Sequence, residues 1–178
     1  MGITNNTQQA APDRGLPSVK LTIELVPTAC WYSNVRSNVF PATWDRLQTV
    51  VFKIAGYRCE ICGGHGDSHP VECHEIWAYD DHKRIQRLAH LASLCPKCHQ
   101  VKHIGFAISQ GRAQQVVRWL AQVNQLTPAQ ALAYVQQTFQ VHAIRSRFEW
   151  TLDLRLLTDS YGIKLDKHSI EQGLNLRA

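Results

Sequence analysis

Two segments of the chain alternate apolar and polar residues, a pattern typical of half-buried strands. In residues 19–26, the apolar side chains of Leu21, Ile23 and Leu25 alternate with polar neighbours. Residues 151–157 alternate in the same way. We therefore predict that these two segments form a short β-pair that joins the two ends of the fold.

Four further segments repeat apolar residues at spacings of three and four, which predicts helices. The first covers residues 41–55, with Pro41 in its first turn. The others cover residues 98–108, 112–123 and about 127–147. At the start of the last helix, Thr127 and Gln130 fit the N-cap and N3 positions of a capping box.

A β-hairpin is predicted between the first two helices. Residues 71–77 supply one of its strands, and the charged residues 80–84 supply a turn. After this turn, apolar residues recur at every third position, at Ile85, Leu88, Leu91 and Leu94. This spacing predicts a short amphipathic segment leading towards a pair of cysteines.

The composition is that of an ordinary folded protein. Of the 178 residues, 44% are hydrophobic and 19% are charged, which is sufficient to bury a core. The length predicts a single domain, at residues 19–157. Polar composition predicts a mobile tail at residues 1–18 and a C-terminal tail at residues 158–178.

Charge and hydropathy bear on location and partners. The chain has no apolar run of about 18 residues, and its first residues lack the apolar stretch of a secretory signal, so we expect a cytoplasmic protein without membrane contact. The formal net charge is +5 and the pI is near 9.0. This charge favours a polyanionic partner such as nucleic acid.

Four of the six cysteines form two Cys-x-x-Cys pairs, at Cys59, Cys62, Cys95 and Cys98. In a reducing compartment this pattern favours a metal over disulfides, and four sulfurs complete the tetrahedral coordination of zinc. We therefore predict a structural zinc site. Cys30 and Cys73 are left over, and we give Cys30 no functional role.

The second cysteine pair continues into a pair of histidines. His99 and His103 are four residues apart, which sets both imidazoles on one face of a helix. This arrangement suits a second metal ion. We predict that its third ligand is either His74 or Glu75, on the hairpin between the cysteine pairs.

Residues 59–103 resemble the HNH endonucleases, whose ββα-metal fold holds one divalent ion and is often braced by a four-cysteine zinc site. The resemblance implies an HNH core at about residues 56–108 and a helical C-terminal part at residues 112–150. The fold class is then α+β, with a small ββα-metal core embedded in a mainly helical domain that has a short terminal β-pair. The flanking stretches resemble those of small bacterial and phage HNH proteins.

The resemblance also implies metal-assisted hydrolysis of phosphodiester bonds in DNA. It assigns the catalytic ion, which can be Mg²⁺, Mn²⁺, Ni²⁺ or Zn²⁺, to His74, His99 and His103, and makes Glu75 the general base. The roles of His74 and Glu75 can also be exchanged, although strand alternation points the two side chains in opposite directions. Where the family has its central Asn, this chain has His90, which either orients the base or lies on a helix surface.

Five basic residues near the motif are candidate phosphate contacts: Lys83, Arg84, Arg87, Lys97 and Lys102. An ordinary solvated surface charge explains each of them about equally well. His65 and His69 lie in a loop after the first cysteine pair, where we interpret them as exposed polar residues rather than ligands.

Two other classes of function fit the same residues. One is a catalytically degenerate zinc-knuckle module that binds nucleic acid. The other is a subunit of a phage packaging or defence complex that uses the helical region at residues 112–150. A second divalent ion at His99 and His103 distinguishes a nuclease from a binding module, which needs zinc alone.

Overall fold

A computed structural model of the chain describes residues 19–66, 70–163 and 165. Within these residues the fold is α+β, as predicted, with a three-stranded sheet and six α-helices. The strands are β1 (Glu72–Asp80), β2 (Ile85–Leu94) and β3 (Thr151–Asp153). The helices are α1 (Pro41–Ile54), α2 (Pro96–Lys102), α3 (Ile104–Ser109), α4 (Ala113–Asn124), α5 (Pro128–Arg145) and α6 (Arg155–Tyr161).

The predicted hairpin is present and is longer than expected. β1 and β2 pair in antiparallel register, from Glu72 opposite Leu94 to Asp80 opposite Ile85. The amphipathic segment predicted for residues 85–94 is therefore the second strand. Leu88 and Leu91 pack on the same face of the hairpin although they are three residues apart, because the pairing irregularity opposite Ile76 and Trp77 leaves Ala89 without a partner residue. Leu94 packs on the other face.

The predicted β-pair between the two ends of the fold is wrong. Residues 19–26 form no strand, because helices rather than a neighbouring strand supply the partners of three of their backbone N–H groups. The N–H of Leu21 donates to Oδ1 of Asn124 (2.8 Å), and the N–H of Ile23 donates to the hydroxyl of Tyr134 (3.3 Å). Both apolar side chains are nevertheless buried, so the alternation correctly indicated a half-buried extended segment.

The segment predicted as a C-terminal strand divides into two elements. Only β3 is extended, and it pairs in parallel with the start of β2. The following residues form α6, which buries Leu157 in the core. The predicted C-terminal tail thus begins inside a helix, and the tail predicted at residues 1–18 lies outside the described residues.

The predicted helices match α1, α4 and α5 within a few residues. The capping box is confirmed: Thr127 Oγ1 accepts from the N–H of Gln130 (3.2 Å), and Gln130 Oε1 accepts from the N–H of Thr127 (2.8 Å). The helix predicted at residues 98–108 is two helices, α2 and α3, which meet at His103. Among the described residues, no helix has the length and apolar character needed to cross a membrane.

Apolar side chains pack on both faces of the hairpin. One cluster lies between the hairpin and helices α2 to α5, and it includes Leu94, Val101 and Leu120. The other lies on the opposite face against α1 and α6, and it includes Trp44, Leu91 and Leu157. A side chain's position on β1 therefore decides which half of the molecule it meets.

Candidate metal centres

The first cysteine pair lies in a tight turn that follows α1. The N–H of Gly63 donates to the carbonyl of Cys59 (2.8 Å), and the N–H of Cys59 donates to the carbonyl of Gly64 (2.8 Å). Gly63 has a φ of +76°, in the left-handed region that glycine adopts without strain. The chain folds back here so that Cys59 and Cys62 face the same point.

The second cysteine pair lies where β2 ends and α2 begins. Cys95 precedes the first residue of α2, and Cys98 follows in its first turn. The sulfurs of both pairs lie within 4.8 Å of one another, and Sγ of Cys62 is 3.5 Å from Sγ of Cys95. Sulfurs around one zinc ion, at about 2.3 Å each, are about 3.8 Å apart in a tetrahedron. The four-cysteine cluster therefore has the dimensions of a structural metal site.

Hydrogen bonding and burial shift the pKa values of these thiols in opposite directions. A hydrogen bond from the Cys98 thiol, assisted by backbone N–H groups, lowers the pKa of Cys59 to about 4. Burial raises the pKa of Cys95 to about 11. A metal binds cysteine as thiolate, so a cation at the cluster would offset the burial that disfavours further ionisation.

An indole donor contacts the four-cysteine cluster from α4. Nε1 of Trp119 donates to Sγ of Cys98 at 3.3 Å. The ring of Trp119 also faces Lys97, whose Nζ lies 5.2 Å from the ring centroid. A hydrogen bond of this kind favours the thiolate over the thiol. Trp119 therefore extends the cluster beyond the Cys-x-x-Cys motifs.

Three histidines form a second cluster of possible metal ligands. His74 comes from β1, and His99 and His103 come from α2 and the residue after it. One ring nitrogen from each lies within 4.8 Å of the others, and Nε2 of His99 is 3.2 Å from Nε2 of His103. The ring centroids are 4.6 to 5.2 Å apart. Such a set of three nitrogens leaves a coordination position for water or substrate.

The electrostatic surroundings favour neutral imidazoles in this histidine cluster. Partial desolvation of the ring and the neighbouring His74 lower the pKa of His103, although part of its side chain is exposed. The same two causes lower the pKa of His99. Only a neutral imidazole has a lone pair for a metal ion, so at neutral pH these two side chains are in the form that binds metal.

Carboxylates contact two of the three histidines. Oε2 of Glu72 lies 2.6 Å from Nδ1 of His99, and Oε2 of Glu24 lies 3.2 Å from Nε2 of His74. Burial alone would raise the pKa of Glu24, but Lys102 and His74 bring it down to about 2. Carboxylates of this kind fix the ring orientation of metal-binding histidines.

Glu75 does not join the histidine cluster. It follows His74 on β1 and lies on the opposite face of the hairpin, where Oε1 accepts a hydrogen bond from the N–H of Val35 (2.9 Å). The irregularity in strand pairing occurs between Ile76 and Trp77, too late to turn Glu75 towards His74. Burial raises its pKa to about 7. The general-base role that the resemblance implies for Glu75 therefore does not fit this geometry, in which Glu75 faces away from the histidines.

His90 is a strand residue and not a helix-surface residue. It lies on β2, and its Nε2 is 2.8 Å from Oε2 of Glu60. Glu60 stands between Cys59 and Cys62, and its other carboxylate oxygen accepts from the N–H of Ser93 (2.7 Å). His90 thus helps to fasten the first cysteine turn to β2.

His65, in the loop after the first cysteine pair, is not in either cluster. Nδ1 of His65 lies 3.1 Å from the carbonyl of Tyr57, on the segment between α1 and the first cysteine turn. His69 lies outside the described residues.

Lys102 is misassigned as a phosphate contact. Its side chain is only 3% exposed, and Nζ binds Oε1 of Glu24 (2.6 Å) and Oγ1 of Thr22 (2.7 Å). A buried ammonium held by two oxygens cannot reach a nucleic acid on the surface. It contacts Glu24 in the interior instead.

Of the other four predicted phosphate contacts, Lys97 lies in the first turn of α2 beside the clusters, and the remaining three lie elsewhere on the molecule. Lys83 and Arg84 lie in the hairpin turn, six residues or more beyond His74 along β1, which corresponds to about 20 Å. Arg84 stacks on the ring of Phe148 at 3.6 Å. Arg87 donates to Asp153. The sequence thus grouped residues that the hairpin separates.

Sequence reasoning missed three residues that contact the clusters. Glu72 had a usable signal, because it lies two positions before His74 and so shares its face of β1. For Glu24 and Trp119, the sequence contained no usable signal. Glu24 is 50 residues from His74 in sequence, and Trp119 is 21 residues from Cys98, so only the tertiary fold brings them together.

Comparisons with known proteins found no match to this chain, whether among family models, curated proteins or solved structures. The function must therefore be argued from the two clusters and their surroundings.

Proposed function

We propose that this protein is a metal-dependent endonuclease of the HNH type that hydrolyses phosphodiester bonds in DNA. The observation that carries the proposal is the convergence of His74, His99 and His103 beside a four-cysteine cluster. Strand and helix each contribute to the same three-nitrogen set. This combination agrees with the ββα-metal arrangement that the sequence resembles.

In this proposal the two clusters have different roles. The four cysteines hold a structural zinc, which fastens the first cysteine turn to the start of α2. The three histidines hold the catalytic ion. A divalent ion at such a site polarises a phosphate oxygen and lowers the pKa of a water molecule towards neutrality. A separate carboxylate base on β1 is then unnecessary, which fits the position of Glu75.

Burial, carboxylate contacts, the exposure of one histidine and the overall charge prepare this site. His74 is buried, and the neighbouring carboxylates of Glu24 and Glu72 contact two of the rings. His103 is the most exposed of the three, so substrate would approach from its side. The net charge of +5 favours association with a polyanion, although the predicted phosphate contacts do not form one patch.

Plasmid cleavage after metal removal tests the proposal. The purified protein is freed of weakly bound ions, checked for retained zinc, and supplied in turn with Mg²⁺, Mn²⁺, Ni²⁺ and Zn²⁺. We expect nicking or linearisation of supercoiled DNA, and a loss of at least about a hundredfold in His99→Ala and His103→Ala. His82→Ala, in the exposed hairpin turn, is the matched control and should cut normally.

Two results would redirect the proposal. Absence of cutting with every ion, in a protein that binds DNA and one zinc per chain, favours the zinc-knuckle binding module. Cutting that survives both histidine substitutions would move the active site away from the histidine cluster. RNA substrates in parallel reactions decide between DNA and RNA.

A further inference from the structure

Glu24 lies far outside the cysteine and histidine motifs, yet its carboxylate connects to the histidine cluster. One oxygen lies 3.2 Å from Nε2 of His74, and the other lies 2.6 Å from Nζ of Lys102. The side chains of His74, Glu24 and Lys102 are 5%, 9% and 3% exposed. They form a buried chain of three polar groups between the two sides of the histidine site.

The extended segment that carries Glu24 is fixed at several points. The N–H of Glu24 donates to the carbonyl of Lys102 (3.1 Å). Three residues earlier, the amide of Asn124 binds both backbone groups of Leu21. Tyr134, on α5, accepts from the N–H of Ile23. Helices α4 and α5 supply no ligand atom to either cluster, but they hold the segment that carries Glu24 in place.

We propose that Glu24 is a positioning residue for His74, and that Lys102 holds Glu24 in position. Glu24 accepts a hydrogen bond from Nε2–H of His74. This fixes the tautomer in which Nδ1 carries the lone pair, and it restrains rotation of the ring. The assignment of that lone pair to a metal ion rests on the proposed function above.

Two observations favour positioning over a ligand role or a purely structural ion pair. The ligand atoms that lie within 4.8 Å of one another come from the three histidines, and Glu24 contacts one of them from outside. Lys102 is already bonded to Thr22 and to one oxygen of Glu24, so the second oxygen is left to His74. Stability alone does not require this arrangement, because apolar residues of similar volume commonly replace buried ion pairs without loss.

Glu72 and His99 repeat the arrangement nearer the surface. Oε2 of Glu72 lies 2.6 Å from Nδ1 of His99, and the Glu72 side chain is 40% exposed. Two of the three histidines are thus each paired with a carboxylate, one from β1 and one from the extended segment. Glu72 therefore serves as an internal control for substitutions of Glu24.

The test uses double variants, because Lys102 left alone in the interior would destabilise the fold. Glu24→Leu with Lys102→Met removes the acceptor and both charges. Glu24→Gln with Lys102→Met removes the charges and keeps a carbonyl oxygen as acceptor. Retained zinc and an unchanged melting temperature would establish that both variants fold.

Two measurements are made on each protein. Long-range ¹H–¹⁵N correlation spectra of the protein without the second ion report the tautomer of each histidine, with His74→Gln providing the assignment. Titration with Co²⁺, after zinc has filled the cysteine cluster, reports affinity at the histidines through its visible absorption. Neither measurement requires DNA or activity.

We expect the Leu/Met variant to lose the fixed Nε2–H tautomer of His74 and to bind Co²⁺ about 10- to 100-fold more weakly. The Gln/Met variant should retain the tautomer and most of the affinity. Glu72→Leu should alter the signals of His99 and leave those of His74 unchanged.

Two outcomes would overturn the proposal. Equal Co²⁺ affinity and equal His74 spectra in wild type and the Leu/Met variant would make the Glu24–Lys102 pair purely structural. Equal losses in both double variants would assign the effect to charge and not to the hydrogen-bond acceptor. If wild type binds no Co²⁺ at the histidines, the proposed nuclease fails, and the tautomer spectra alone decide the role of Glu24.

Discussion

Cys98 and His99 are consecutive residues of α2 and belong to different clusters of possible metal ligands. Sγ of Cys98 lies in the four-cysteine cluster, and the ring of His99 lies in the three-histidine cluster. A single peptide bond joins the two centres. Displacement of the first turn of α2 therefore alters both.

The first prediction concerns this coupling. Cys98→Ser should lose the zinc proposed for the four-cysteine cluster and lower the free energy of unfolding by on the order of 4 kcal/mol or more, because metal binding contributes directly to folding. It should also weaken Co²⁺ binding at the histidines by at least about tenfold. Zinc content by mass spectrometry, urea unfolding and Co²⁺ titration measure the three effects.

Cys30→Ala is the control for this substitution. Cys30 is equally buried, at 3% exposure, but it lies outside the four-cysteine cluster. The Cys30→Ala variant should keep one zinc per chain and bind Co²⁺ at the histidines as wild type does. If Cys98→Ser loses zinc but binds Co²⁺ as wild type does, the two centres are independent.

The second prediction concerns the indole of Trp119. Trp119→Phe keeps most of the packing but removes the N–H that donates to Sγ of Cys98. A hydrogen bond to a charged acceptor contributes about 1.5 kcal/mol, so zinc affinity in a chelator competition should fall by about tenfold. Trp31→Phe, which removes an indole hydrogen bond at an exposed site, should leave the zinc affinity unchanged. Equal affinities in all three proteins would contradict the role of Trp119.

Local chemistry predicted much of the fold. Capping and periodicity located α1, α4 and α5, because these signals lie within a few residues of each helix end. Residues 19–26 were misassigned because alternation reports burial of one face and does not identify the backbone's partner. Here that partner is not a strand but the side chains of Asn124 and Tyr134.

In the candidate site, too, contacts between residues close in sequence could be predicted, and contacts that depend on the tertiary fold could not. Spacing in sequence was sufficient to group the four cysteines, and to pair His99 with His103, because these ligands come from tight turns and one helix. Strand alternation already argued against a joint site for His74 and Glu75. The contact between Glu24 and His74 could not be predicted, since it depends on how α4 and α5 hold a distant segment.

The third prediction concerns acid stability. Asp153 on β3 binds Arg155 of α6 and Arg87 of β2, and these hydrogen bonds lower its pKa to about 2, from an ordinary value of 3.8. This stabilisation is present above pH 3.8 and is lost as the pH falls towards 2. Asp153→Asn should therefore lower the free energy of unfolding by about 1–2 kcal/mol at pH 7. This range is smaller than the full pKa shift implies, because solvent screens both half-exposed arginines.

Urea unfolding at pH 7 and near pH 2 measures this difference. The cost of Asp153→Asn should shrink at the lower pH, because about half of the wild-type carboxyl groups are then protonated as well. Asp45→Asn, on the exposed face of α1, should have little effect at either pH. A cost that is independent of pH would assign the contribution of Asp153 to packing.

The last prediction concerns Glu75, which lies on the opposite face of the hairpin from His74. Glu75→Gln keeps an oxygen that can accept from the N–H of Val35, so the fold should be retained. Because the side chain does not face the histidines, Co²⁺ affinity and metal-dependent cleavage should stay within about threefold of wild type. His103→Gln, compared in the same Co²⁺ titration and plasmid assay, should lose Co²⁺ binding at the histidines and cleavage.

Glu75→Gln should also change stability with a defined dependence on pH. Burial raises the pKa of Glu75 from 4.5 to about 7, so ionisation costs the native state stability as the pH rises through this window. The Gln variant avoids that cost and should be more stable than wild type by about 1–3 kcal/mol at pH 8, with little gain at pH 4. If Glu75→Gln instead abolishes cleavage while Co²⁺ still binds, Glu75 is the general base, and the hairpin must rearrange when substrate binds.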